Sequence, residues 1–291
     1  MKYAFYLGCL IPARAVHCEH SAKSVLTALG VDLEYMQDTT CCGPFTVQSL
    51  DYLSWLSMAA RNICIAEEMN LDILTLCNDC YESLLMANEI LKEDEETRGR
   101  VNEVLSDVDK EFKGGIDVKH LVEVISEDIG LEKIREAVTH PFRDLRVTTH
   151  AGCHLVRPRS LHTDIQSGFQ VLDDLVEVTG ARVVDYDYKE VCCGGPLKFM
   201  EDEISTELTR QKLVSFKRAN VQCVVTVCPF CFTRFDLGQV EIRRLFKERY
   251  DLPVIYLMEL LSLAMNLKLM ESDFRWHKIK IDEIVKANVE G

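Results

Sequence analysis

The chain has 291 residues, 47% of them hydrophobic, and a formal net charge of −14. That length suits two domains, each able to bury its own core, and the composition is that of a globular protein. The acidic balance argues against nucleic acid or an anionic membrane surface as the main partner.

In chain order, apolar runs alternate with amphipathic stretches. The first half predicts a strand over 2–7, a helix over 12–29 opened by Pro12 and closed by Gly30, and a strand over 31–36. A long helix over 45–69, a strand over 71–76 and a helix over 79–92 follow. Residues 93–140 are acidic and helix-prone, broken by Gly114-Gly115, and Pro141 precedes the next strand. The second half repeats the order: strand 145–150, helix 159–179 closed by Gly180, strand 182–185, helix 200–219, strand 221–227, helix 230–249 and strand 253–257. The tail 266–291 is amphipathic, carries Trp276 and reads as a surface helix. Strand–helix alternation implies parallel sheets with right-handed crossovers. The expected fold is α/β: two similar Rossmann-like domains, 1–140 and 141–265, with parallel sheets related by a pseudo-twofold, then the tail. The longest apolar candidate for a membrane span, Leu257 to Met270, is short and carries Glu259 and Lys268, so a cytoplasmic chain is expected.

Ten of the thirteen cysteines fall into two copies of one pattern. The first copy is Cys9, Cys41-Cys42, then Cys77 and Cys80; the second is Cys153, Cys192-Cys193, then Cys228 and Cys231. Residues 43–76 and 194–227, 34 in each case, separate the adjacent pair from the CxxC. Each leading cysteine follows a glycine, each pair runs into Gly and Pro, and each CxxC follows an apolar run. The trailing segments His120-Leu121-Val122-Glu123 and Tyr256-Leu257-Met258-Glu259 also match. Self-similarity on this scale means one structural unit present twice. Cys9, Cys77, Cys153 and Cys228 each sit just past a predicted strand, the end of a parallel sheet where ligands bind.

Adjacent Cys-Cys pairs and an odd cysteine count fit a disulfide framework badly. Four thiolates suffice for zinc or for an iron–sulfur cluster, and CxxC alone does not choose between them. Two neighbouring cysteines hold one small tetrahedral ion with difficulty but reach different irons of a larger cluster, which favours iron–sulfur and leaves zinc open. Gly43 and Gly194 let the backbone turn beside the metal. Cys18, Cys64 and Cys223 lie outside both copies and read as small buried hydrophobes.

The leading Cys, the Cys-Cys-Gly loop and the CxxC resemble the cysteine-rich CCG domain family. Two such units without extra ferredoxin-type cysteines are similar to the B subunits of heterodisulfide reductases, and the likeness spans nearly the whole chain and all ten motif cysteines. It implies two noncubane 4Fe–4S clusters, one on Cys9, Cys41, Cys42, Cys77 and Cys80, the other on Cys153, Cys192, Cys193, Cys228 and Cys231. It implies reduction of the mixed disulfide of coenzyme M and coenzyme B to two thiols. It also implies two partners in one complex, an iron–sulfur C subunit plus a flavin-bearing A subunit, and indirectly a hydrogenase or formate dehydrogenase. Other members of the family act on 2-hydroxy acids or on fumarate and succinate, so an electron-transfer subunit of such an enzyme is the alternative.

Disulfide cleavage takes two electrons to release two thiolates, which take up two protons to become thiols. Two one-electron centres side by side match that requirement. His154, beside Cys153, is the candidate proton donor, with a hydrogen bond to the cluster or the backbone as the competing role. His150, at the strand end, reads as structural. The implied substrate is anionic, and Arg14, Arg157, Arg159, Lys198 and Arg234 lie within six residues of motif cysteines, so they are candidate anion-binding groups.

Overall fold

The computed structural model describes residues 1–156, 165–198 and 200–289. Among them run two four-stranded sheets, parallel throughout, in the strand orders β2-β1-β3-β4 and β6-β5-β7-β8. The first comprises β1 (Lys2–Tyr6), β2 (Asp32–Tyr35), β3 (Ile73–Thr75) and β4 (Val118–His120). The second comprises β5 (Arg146–His150), β6 (Arg182–Val183), β7 (Cys223–Thr226) and β8 (Val254–Tyr256). The central strands are buried on both faces, which explains their unbroken apolar runs. In each sheet the chain order reverses between the two central strands, β1 and β3 or β5 and β7, and their carboxyl ends face a crevice there.

Helices follow the expected order, with two breaks. The stretch 45–69 divides at Asp51, whose backbone is extended and whose carboxylate accepts the Ser54 N–H, capping the helix Tyr52–Met69. The stretch 12–29 divides at Ala15 into Leu10–Arg14 and Val16–Ala28. The strand β4 was not expected within 93–140. It pairs with β3 through Val118, Lys119 and His120 and opens into a capping box, in which Glu123 accepts the His120 N–H. Its counterpart β8 opens in the same way, Glu259 accepting the Tyr256 N–H. The matching trailing segments are therefore matching strand-to-helix turns.

The two halves are knit together. The helix Val16–Ala28 packs on Leu257–Ala264 of the second half. The Tyr256 hydroxyl donates to the carbonyl of Leu76, 2.8 Å away and buried. The C-terminal segment contributes more than a surface helix, since Asp273, His277, Ile281 and Ile284 are buried and His20 contacts Asp273 at 2.8 Å. Tyr256→Phe leaves the Leu76 carbonyl buried without that donor. The variant is expected to lose about 1–2 kcal/mol of stability, read from the anaerobic denaturation midpoint, and an unchanged midpoint would contradict this role.

Candidate metal centre at the domain junction

All ten motif cysteines emerge at the two crevices. Cys9 and Cys153 follow β1 and β5, while Cys77 and Cys228 follow β3 and β7 and cap the helices Asn78–Glu93 and Pro229–Phe246. Cys42, Cys77, Cys80, Cys193, Cys228 and Cys231 are buried, Cys41, Cys153 and Cys192 half-buried, and Cys9 exposed.

Their sulfurs form one run of contacts. From Cys9 it passes to Cys41, Cys42, Cys80 and Cys77, crosses to Cys228, and continues through Cys231, Cys193 and Cys192 to Cys153. Cys231 and Cys193 are 3.4 Å apart. The run is symmetric about its centre, where the two halves meet through Cys77 and Cys228. Cys41, Cys192 and Cys228 are held below the ordinary thiol range by thiol donors beside them: Cys42 and Cys9, Cys153 and Cys193, and Cys231 and Cys77 respectively. Backbone N–H groups add to this, Gly194 donating to Cys192 Sγ at 3.3 Å and Gly195 to Cys193 Sγ at 3.4 Å. Thiolate, not thiol, binds metal, and amide donors on sulfur tune iron–sulfur sites. Five convergent sulfurs with amide donors suit an iron–sulfur cluster in each half.

Two glycines make the close approach feasible. Gly8 (φ +67°) and Gly152 (φ +81°) precede the leading cysteines in left-handed conformations. A Cβ on Gly8 would stand 2.8 Å from Cys80 Sγ, and one on Gly152 2.6 Å from Asn78 Nδ2. Gly8→Ala is expected to cost about 1–2 kcal/mol of backbone strain and to displace Cys80. It should lower the iron held by the first half, checked by anaerobic iron analysis; wild-type iron content would contradict it.

The Cys-Cys loops are held from behind by side chains that no sequence pattern singled out. Asn62 accepts the Thr40 N–H at 2.9 Å and donates to the Cys41 carbonyl at 3.3 Å. The Ser83 hydroxyl lies 2.8 Å from the Cys42 carbonyl and 2.6 Å from that of Gly43, and it accepts from Trp55 Nε1. In the second half Thr209 donates to the Cys193 carbonyl at 2.8 Å and Ser205 to that of Gly194 at 2.7 Å. These are single polar residues on helix faces, without spacing or repetition to mark them. Lys212 is another, with 1% exposure, its ammonium on the Tyr188 and Lys189 carbonyls and its pKa lowered by burial to about 8.

His154, from the second half, reaches across to the first. It sits between Asp79, 3.1 Å away, and Glu82, one turn apart on the helix Asn78–Glu93, with Phe45 edge-on to its ring. Burial opposes its protonation, but the two carboxylates prevail and raise its pKa to about 10. His150 is buried against Tyr186 and Phe235, and burial lowers its pKa to about 3. Of the basic candidates, Arg14 is exposed at the end of its helix. Lys198 pairs with Glu241 and Asp202. Arg234 is buried at 4% exposure, donating to Thr209 at 2.8 Å and to Glu241 at 3.3 Å. Arg157 and Arg159 lie outside the described residues. Cys18, Cys64 and Cys223 are buried and are not links of the run.

A cavity of about 460 Å³ opens on the first array, lined by its cysteines, by Leu10, Phe45 and Leu50, and by Pro196, Met200 and Phe230 of the second half. A smaller cleft adjoins the second array and shares Asp79, Pro196 and Phe230 with it. None of the described residues lining either is Lys or Arg. The pseudo-symmetry is broken in one respect. Position for position in the motifs, Leu10 answers to His154 and Asp79 to Phe230, while both openings are lined mainly by apolar surface.

The CCG cysteine-rich domain model matches residues 3–84 and 147–236. The chain is 38% identical over 271 residues to the B subunit of the ferredoxin:CoB-CoM heterodisulfide reductase of Methanosarcina mazei, covering 91% of this chain and 89% of that one. It is 28% identical over 271 residues to the 8-methylmenaquinol:fumarate reductase membrane anchor subunit of Wolinella succinogenes, covering 93% and 94%. A crystal structure of a hypothetical protein from Helicobacter pylori matches with a TM-score of 0.73 at 14% identity, a likeness of fold; it covers 96% of this chain but 52%, about half, of that one. Among the described residues no helix is long and apolar enough to cross a membrane.

Proposed function

The chain belongs to the CCG cysteine-rich domain family, and from that premise we propose that it is the catalytic subunit of a heterodisulfide reductase, reducing the coenzyme M–coenzyme B mixed disulfide to its two thiols. In this reading Cys9, Cys41, Cys42, Cys77 and Cys80 hold one noncubane 4Fe–4S cluster, and Cys153, Cys192, Cys193, Cys228 and Cys231 hold the other. The observation that carries it is the single run of ten sulfurs meeting at Cys77 and Cys228, because two one-electron centres at one cleft can together supply a two-electron cleavage. The clusters, when bound, supply electrons one at a time.

The protein's own residues then have separable tasks. His154, held protonated by Asp79 and Glu82 at the cleft, gives a proton to a departing thiolate. The apolar cavity beside the first array excludes water and takes an arm of the substrate. With Lys198 and Arg234 facing Glu241, the exposed Arg14 is left among the described candidates to meet an anionic tail. Electrons arrive through an iron–sulfur C subunit plus a flavin-bearing A subunit, and ultimately from a hydrogenase or formate dehydrogenase.

The test is an anaerobic assay with a reduced viologen dye as donor. Oxidation of the dye should follow addition of the mixed disulfide and not of fumarate or of a 2-oxo acid, the oxidised partner of a 2-hydroxy acid. Dye oxidation with fumarate instead, or with neither, would favour an electron-transfer subunit of another CCG-domain oxidoreductase.

A further inference from the structure

Away from the sulfur run, three metal-ligating side chains meet where the two halves and the C-terminal segment join. They are His17 on the helix Val16–Ala28, Glu259 on the helix Leu257–Ala264, and His277 just after the short helix Glu271–Trp276. Their exposures are 0%, 1% and 6%. One ligand atom from each lies within 4.8 Å of those of the other two. His277 Nε2 is 2.9 Å from Glu259 Oε1, while the outer atoms of both are tied back: His277 Nδ1 to the Val254 carbonyl at 3.1 Å, and Glu259 Oε2 to the Tyr256 N–H at 2.9 Å. His17 Nδ1, fully buried, has no hydrogen-bond partner. The rings of His17 and His277 are 5.0 Å apart between centroids, and both pack against Phe232.

We propose that His17, Glu259 and His277 form a buried site for one divalent transition-metal ion, zinc by its donor set, separate from the cysteine arrays and joining three segments of the chain. Two imidazoles and a carboxylate are an N/O set that zinc accepts. A ligating histidine ordinarily donates its other N–H to a carbonyl, which fixes the tautomer with its lone pair toward the metal, and His277 does this through Val254. Burial keeps His17 neutral, its pKa lowered to about 4, so it too offers a lone pair. Cys18 Sγ lies 3.4 Å from His17 Nε2, the ring nitrogen opposite the open Nδ1. A carboxylate removed from water needs compensation, and a dication supplies more of it than His277 alone. On binding, the Nε2 proton of His277 leaves to solvent and its lone pair takes the metal. Because the ligands come from the first half, the second half and the C-terminal segment, the ion acts as a structural clasp.

The test uses the full chain prepared anaerobically, incubated with Zn²⁺ and desalted. Elemental analysis should find about one zinc per chain beside the iron. X-ray absorption at the zinc edge should give a first shell of nitrogen and oxygen at about 2.0–2.1 Å, with at most one sulfur near 2.3 Å. Glu259→Gln and His277→Gln should each lower the bound zinc at least tenfold and leave the iron unchanged. The absorption measurement needs only wild-type protein, so it stands if a variant fails to fold. Wild-type protein that retains no zinc would overturn the proposal and leave a buried Glu259–His277 ion pair. So would an all-sulfur shell, or zinc kept by Glu259→Gln and lost by Cys42→Ser, either of which assigns the metal to the cysteine arrays.

Discussion

If each array holds one four-iron cluster, as proposed, Cys42→Ser is expected to remove about half of the iron, with a matching loss of labile sulfide, and to abolish disulfide turnover. Cys42 is 3% exposed, and its sulfur links Cys41 to Cys80 in the middle of the first array. A serine hydroxyl there stays protonated, binds iron poorly and breaks the run at that point. Cys193→Ser should do the same in the second array, where Cys193 lies between Cys192 and Cys231. Cys64 is as buried, at 2%, but lies on the helix Tyr52–Met69 outside the run, where burial raises its pKa to about 12. Cys64→Ser should cost roughly 1 kcal/mol of packing and leave the iron intact, as should Cys223→Ser. Anaerobic iron and sulfide analysis of the set decides the ligand assignment. Loss of iron from Cys64→Ser as complete as that from Cys42→Ser would refute it.

His154→Ala should lower kcat by about 10²–10⁴-fold while iron content and the cluster spectrum stay at wild-type values. The ring is not among the ten sulfurs of the run, so its removal does not cost a cluster ligand. It does remove the only cation between Asp79 and Glu82 that the described residues provide. Two carboxylates then face each other at the cleft, and some loss of stability accompanies the loss of rate. His154→Gln keeps the side chain's bulk and a hydrogen-bond donor but cannot act as an acid, so it should be as slow as His154→Ala. Steady-state kinetics with iron analysis on the same preparations checks both. Normal kcat in both variants would assign the proton to another group and favour a relay role for the chain.

The strand–helix order was legible because parallel strands buried on both faces read as apolar runs, as Val221 to Val227 does around β7. The strand β4 was not, because three residues with Lys119 at their centre carry no periodicity. The matching Glu123 and Glu259 capping boxes were visible as a repeat before their meaning was. The break at Asp51 was hidden because the apolar spacing runs on through it, while the local hydrogen bond to Ser54 decides the backbone. The cysteines announced themselves through repetition of residue type and of the 34-residue spacing from the adjacent pair to the CxxC. The residues that aim them, Asn62, Ser83 and Thr209, did not, since each acts through one or two hydrogen bonds to a carbonyl. The His154–Asp79–Glu82 contact is long-range and crosses between the halves, a juxtaposition only the fold creates. Proximity in sequence also suggested Lys198 and Arg234 as anion binders, whereas Glu241 lies against both.

The claim that the two arrays act together on one disulfide meets its most direct test in a single turnover. The protein is reduced anaerobically, freed of excess reductant and mixed with the coenzyme M–coenzyme B disulfide, and the released thiols are counted. Two one-electron centres at one cleft predict about two thiols per chain, formed as the clusters reoxidise. Clusters that pass their electrons to a dye acceptor but release no thiol from the disulfide would contradict the account.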